Sequence, residues 1–132
     1  MVERESDRFR TAKRAMSLAA LAAWGLVVVF FGATVITGGS MEPSVKPGDV
    51  VVYRRSAERV GEGDIIYFSH PEWPKGVVHR VVEVLPDGSV RTRGDANAVE
   101  DRDAVPRRRI RGVVTFVVPS GKALAAASEA LR

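Results

Sequence analysis

The chain has 132 residues, no cysteine and a formal net charge of +4 at pH 7. That length holds one domain with an appendage rather than two domains, and the lack of cysteine excludes disulfides, a thiol nucleophile and cysteine-ligated zinc. The positive balance does not make a nucleic-acid binder, because bases and acids are interleaved: five against three in residues 1–14, fifteen against thirteen in the remainder.

The first element is a basic tail, 1–14, with Arg4, Arg8, Arg10, Lys13 and Arg14. It leads into a run from Ala15 to Gly38 without a charged residue, rich in leucine, valine and phenylalanine around Trp24. As a helix, 15–38 would be ~36 Å long, enough to cross a hydrocarbon core of about 30 Å. A secretory signal peptide has the same basic start, but its apolar core is shorter, about 7–15 residues, so the run reads as an uncleaved anchor. Lys13 and Arg14 flank one end and the first charge beyond the other is Glu42. The positive-inside rule then predicts a single-pass cell-membrane protein, with a cytoplasmic N-terminus and the rest outside, and makes the lipid bilayer one of its partners.

Past this run the pattern changes to short strands with turn punctuation. Strands are predicted at 49–55 (DVVVYRR), 64–70 (DIIYFSH), 76–85 (GVVHRVVEVL), 89–93 (SVRTR) and 109–118 (RIRGVVTFVV). Valine and isoleucine dominate them, and the connections leave no room for crossover helices. A mainly β, antiparallel domain over 39–121 follows. The basic cluster PRRRIR at 106–111 reads as a solvated strand edge or loop, or as a patch drawn to anionic lipid headgroups. The tail 122–132 has helical composition but is too short to span a membrane.

Few residues here can do chemistry. The chain has two histidines, His70 in the proline-rich SHPEWP and His79 within VVHRVVEV. Alternation puts Val77, His79 and Val81 on one strand face, where a lone histidine is ordinarily a half-buried structural residue. The stretch RTRGDANAVEDRDAV at 91–105 crowds Asp95, Asn97, Glu100, Asp101 and Asp103 into nine positions. Such a loop commonly caps its own backbone; its spacing is not that of an EF-hand, and two histidines nine residues apart make no recognisable zinc site. Ser40 sits in TGGSMEPS on a glycine-softened turn. Serine needs a base, imidazole can be one, and a carboxylate can orient the imidazole, yet positions so far apart in sequence meet only through folding.

Taken in order, GGSMEPSVKPGDVVVY, GDIIYF, VVHRVVEV and RGDANAVEDRDAV resemble the conserved boxes of type I signal peptidases. The likeness is to the branch with histidine where the commoner bacterial branch has lysine, and it runs over about residues 15–120. It implies a membrane-bound serine endopeptidase with a β-rich catalytic domain after an N-terminal anchor. Its substrates would be secretory precursor proteins, cut after small residues at −3 and −1, with no cofactor and no metal. By resemblance Ser40 matches the nucleophile, His79 the general base, Asp101 the orienting acid and Asp95 a supporting aspartate. Ile36, Met41, Val45, Val77 and Val78 would wall the substrate pockets. The chain departs from the family at Gly38, where a serine hydroxyl often helps bind the oxyanion. A catalytically silent, membrane-anchored β module that binds exported peptides is the alternative of another class. The oligomeric state is not legible.

Overall fold

The computed structural model describes residues 2–120 and 129–130. Apart from 129–130, the tail 122–132 expected to be helical lies outside the described residues. The chain divides into two units, Met1–Phe30 and Phe31–Arg132.

The first unit is one helix, α1, Val2–Phe30. Its first turn carries Glu3 and Glu5, whose charges suit the positive end of the helix dipole. The part from Glu3 to Phe30 is long and apolar enough to cross a membrane. The expected helix at 15–38 is corrected at both ends. It extends back through the charged tail, which contains no glycine or proline to stop it. It stops at Phe30 because Phe31–Val35 is a strand. An unbroken apolar run has no periodicity, so helix and buried strand look alike in it.

The second unit is a six-stranded antiparallel sheet: β1 Phe31–Val35, β2 Val50–Arg54, β3 Ile65–His70, β4 Trp73–Val84, β5 Val90–Arg93 and β6 Ile110–Val118, in the order β1-β2-β6-β3-β4-β5. The mainly β expectation holds, and five of the six strands lie where the turn punctuation puts them. β1 is the exception, because the sequence suggests a first strand only at Asp49. It pairs with β2 from Phe31↔Arg54 to Val35↔Val50. Glycine is required at position 32, since a Cβ there would come within 2.4 Å of the Tyr53 ring. β4 also starts earlier than expected. His70 pairs with Trp73 across a tight hairpin, and their rings stack with centroids 4.7 Å apart.

Strand alternation divides the apolar residues between two clusters. Ile66, Phe68, Val77, Val81, Val90, Val105, Ile110 and Val113 pack in one. Their neighbours Ile65, Tyr67, Val78 and Val114 join Ile36, Met41, Val45 and Val51 in the other. The basic cluster is partly absorbed by this framework. Arg107 donates to the carbonyls of Gly88 and Ala57, and Arg111 lies over the Tyr67 ring.

A testable consequence concerns where the chain can be shortened. A chain beginning at Phe31 keeps all six strands and should melt cooperatively. One beginning at Gly38 loses β1 and the buried Ile36. Loss of that side chain alone costs roughly 2–5 kcal/mol. The melting temperature, followed by circular dichroism, should therefore fall by about 10 °C or more. Equal melting of the two chains would show that β1 contributes nothing to the domain.

Candidate active site

Ser40 lies in the turn between β1 and β2, and buried side chains hold that turn from below. Met41 is 1% exposed and Val45 0%, and the Val45 N–H donates to the Met41 carbonyl at 3.0 Å. The Glu42–Pro43 peptide in the same turn is cis. Asp49 closes the far end, accepting from the N–H groups of Lys46 at 2.9 Å and Ser120 at 2.8 Å. From above, the loop after β5 docks onto Ser40: the Ala96 N–H donates to the Ser40 carbonyl at 2.9 Å. Gly94 makes this approach feasible, because a Cβ there would lie 2.5 Å from the Ser40 carbonyl oxygen and 3.0 Å from its Cβ.

His79 reaches this turn from the middle of β4. It is 5% exposed, and its Nε2 lies 3.1 Å from Ser40 Oγ. Its Nδ1 lies 2.6 Å from Asp101 Oδ2. As a carboxylate, Asp101 can only accept, so Nδ1 carries the ring hydrogen and Nε2 faces the serine hydroxyl as the acceptor. Positions 39 and 22 residues apart thus meet in one hydrogen-bonded chain. Asp103 is exposed and lies in a second cleft of about 400 Å³, with His70, Trp73 and Arg109 on its lining. His70 makes no contact with Ser40 or Asp101 among the described hydrogen bonds.

Asp95 is also close to the site but does not join the chain. Arg80 grips it through both ends of the guanidinium at 2.8 Å each, and Ser44 Oγ donates to it at 2.6 Å. Arg80 further donates to the Gly63 carbonyl. The cluster ties together β4, the Ser40 turn and the loop after β5. Arg80's hydrogen bonds hold the Asp95 carboxyl below the usual aspartate range; burial opposes this, and Ser44 and the nearby charges of Arg80 and Arg93 reinforce it. The guanidinium is raised in turn by Asp95.

A carboxyl with a depressed folded value contributes its full stability above the unfolded value, near pH 4, and loses it as pH falls through the folded value. Asp95→Asn should therefore lower stability at pH 7 by roughly 1–2 kcal/mol, a figure that allows for the exposed side of Arg80. The gap to wild type should narrow as pH drops below about 4. Melts at pH 7 and pH 3 give the comparison, and a gap independent of pH would show that the ion pair is not its source.

A cleft of about 650 Å³ opens beside Ser40 and His79. Ile36, Met41, Val77 and Val78 line it, together with Trp73 and Asn97. Val45 is absent from this lining and fully buried. The expectation that it forms a pocket wall is corrected: it supports Met41 in the core behind the wall, because the turn folds its side chain inward.

Three polar partners escape the sequence reading, Thr92, Ser44 and Arg80, and Asn97, seen there only as a member of the aspartate-rich loop, proves to line the cleft. Thr92 is fully buried, and its Oγ1 donates to Asp101 Oδ2 at 2.6 Å, the same oxygen that His79 engages. The Asp101 N–H returns a bond to the Thr92 carbonyl at 2.8 Å. The available signal was alternation in β5, which turns Val90 and Thr92 inward together and leaves a buried hydroxyl that needs a partner. No group of three or more acidic, histidine or cysteine residues that could hold a metal occurs among the described residues.

The sequence model of the family described as "Signal peptidase, peptidase S26" matches residues 8–117. Among curated proteins, the chain is similar to a "Signal peptidase complex catalytic subunit SEC11" of Chaetomium globosum, at 31% identity over 64% of this chain and 56% of that protein. It is also similar to a protein of the same name from Ajellomyces capsulatus, at 33% identity over 50% of this chain and 35% of the relative. The chain therefore spans about half or less of the length of these relatives.

Proposed function

The chain belongs to the signal peptidase S26 family, and on that premise we propose that it is a membrane-anchored serine endopeptidase that cleaves signal peptides from exported precursors after small residues at −3 and −1. The observation that carries this reading is the Ser40–His79–Asp101 hydrogen-bonded chain at the edge of a cleft walled by Ile36, Met41, Val77 and Val78. Ser40 Oγ attacks the scissile carbonyl carbon while His79 Nε2 takes its proton. Asp101 holds the ring tautomer and stabilises the imidazolium. The tetrahedral intermediate collapses as His79 returns the proton to the departing amine. Water, activated by the same imidazole, then attacks the acyl-enzyme ester and releases the cleaved signal peptide. The apolar walls favour small side chains beside the reacting carbonyl, and an extended substrate can add to the strand edges that flank the cleft.

α1 serves as the anchor in this reading, with its N-terminus in the cytoplasm and the sheet domain outside. Its charge-free part, Ala15–Phe30, is about 24 Å long, somewhat shorter than a typical hydrocarbon core. Lys13 and Arg14 can snorkel to the headgroups and local thinning can take up the difference. Enzyme and precursor then share one membrane plane, which raises their effective concentration.

The test is to reconstitute the purified full chain in liposomes with a panel of precursors and to sequence the new N-termini. Companion proteins are left out, because the relatives are named as subunits of a complex. Cleavage after small residues at −3 and −1 that depends on Ser40 is the expected result. Precursor binding without cleavage would instead indicate a silent binding module.

A further inference from the structure

We propose that the side-chain amide of Asn97 is a catalytic oxyanion donor, doing the work for which Gly38 offers no hydroxyl. This rests on the peptidase reading above and extends it to the atom that bears the developing charge. When Ser40 attacks, the carbonyl oxygen becomes an alkoxide and needs hydrogen-bond donors already aimed at it. The Ser40 N–H is one candidate, and no backbone hydrogen bond among the described residues engages it. Position 38 has no side chain to provide a second.

Asn97 lines the same cleft as Ser40 and His79. Its side-chain amide makes no hydrogen bond among the described residues, and the residue is exposed. Its Nδ2 lies 2.8 Å from where a Gly94 Cβ would stand, and that same point is 3.0 Å from Ser40 Cβ. Asn97 Nδ2 and Ser40 Cβ, the atom that carries the hydroxyl, therefore sit against the same bare face of Gly94, separated by no more than those two distances together. Both are also fixed to one piece of backbone: the Ala96 N–H bonds the Ser40 carbonyl and the Asn97 N–H bonds the Gly94 carbonyl, each at 2.9 Å. A free carboxamide donor, held on a loop that is itself bonded to the nucleophile and facing the cleft, is the group this site offers to an oxyanion.

Position 38 supplies the control. Nothing lies within 4 Å of a Cβ built on Gly38, and its φ is outside the left-handed region. A serine can therefore be placed there without clash or backbone strain.

The experiment measures kcat and KM of the full chain in detergent micelles on a peptide with alanine at −3 and −1. Asn97→Ala should lower kcat about 10²-fold with KM little changed, the size expected for one oxyanion donor. Asn97→Asp should lose at least as much, because it places a negative charge beside the oxyanion. Adding Gly38→Ser to Asn97→Ala should restore kcat at least ~10-fold more than the same substitution changes it in the wild-type background. A residue needed only for loop structure would not be rescued by a hydroxyl at position 38. The inference is overturned if Ser40-dependent cleavage persists in Asn97→Ala with kcat within about threefold of wild type. It is likewise overturned if the loss appears only in KM, or if Gly38→Ser gives no selective rescue. A wild-type chain with no Ser40-dependent cleavage overturns the peptidase reading and this inference together.

Discussion

Ser40→Ala is expected to reduce precursor cleavage at least ~10⁴-fold, to the background of the assay, without disturbing the fold. The serine contributes one hydrogen bond to His79, so its loss should cost only about 1 kcal/mol of stability. The other serines of the domain are not equivalent. Ser44 is committed to Asp95, Ser89 to Asp87 and Ser69 to the Arg109 carbonyl, and among the described hydrogen bonds only Ser40 is joined to a histidine. His79→Ala should be nearly as damaging, since the hydroxyl is a weak nucleophile without its base. The double variant should be no worse than Ser40→Ala alone, because the two groups act as a unit. Rates on one precursor, with circular dichroism on each variant, make the comparison. Substantial cleavage by Ser40→Ala would remove the nucleophile assignment, whereas strictly additive losses would separate His79 from the serine.

Asp101→Asn should lower turnover about 10³–10⁴-fold, and Asp103→Asn should change it less than about threefold. The reason lies at one oxygen. Asp101 Oδ2 accepts from both His79 Nδ1 and Thr92 Oγ1, each at 2.6 Å. An asparagine amide in that position can turn its NH₂ toward the ring and select the tautomer with hydrogen on Nε2, which then has no lone pair for the serine proton. Thr92→Val keeps the shape of the side chain but releases the carboxylate on one side, so a smaller loss in kcat, about tenfold, is expected. Thr92→Ser should recover most of it. In an Asp101→Asn background Thr92→Val should have little further effect, because threonine acts through the carboxylate. If Asp103→Asn proves the more damaging change, the acid has been misplaced by two residues.

How much of this was legible in the sequence depends on the range over which each feature is determined. Local pattern is carried by neighbouring residues. β2 through β6 could be read because valine- and isoleucine-rich runs stand between glycine, proline and aspartate turns. The candidate nucleophile, base and acid could be named because short motifs around Ser40, His79 and Asp101 resemble family boxes. What local pattern cannot supply is the choice between equivalents. Phe31–Val35 became a strand because β2 offered it an edge and Gly32 let Tyr53 lie against it, whereas its composition suited the helix equally well. Val45 and Met41 are both apolar members of one turn, yet only the folded turn decides that Met41 lines the cleft and Val45 lies behind it. Asp101 and Asp103 are two residues apart; the bond from Asp101 N–H to the Thr92 carbonyl accompanies a carboxylate turned toward His79, and of the two only Asp101 lines the cleft beside Ser40. Thr92 drew no attention as a letter, and Asn97 only as one member of an aspartate-rich loop, because their significance comes from groups far away in the chain. A hydroxyl gains a partner when burial brings a carboxylate to it, and an amide gains a neighbour when a bare glycine brings a serine beside it. Both are consequences of close packing between distant segments, which tertiary structure alone decides.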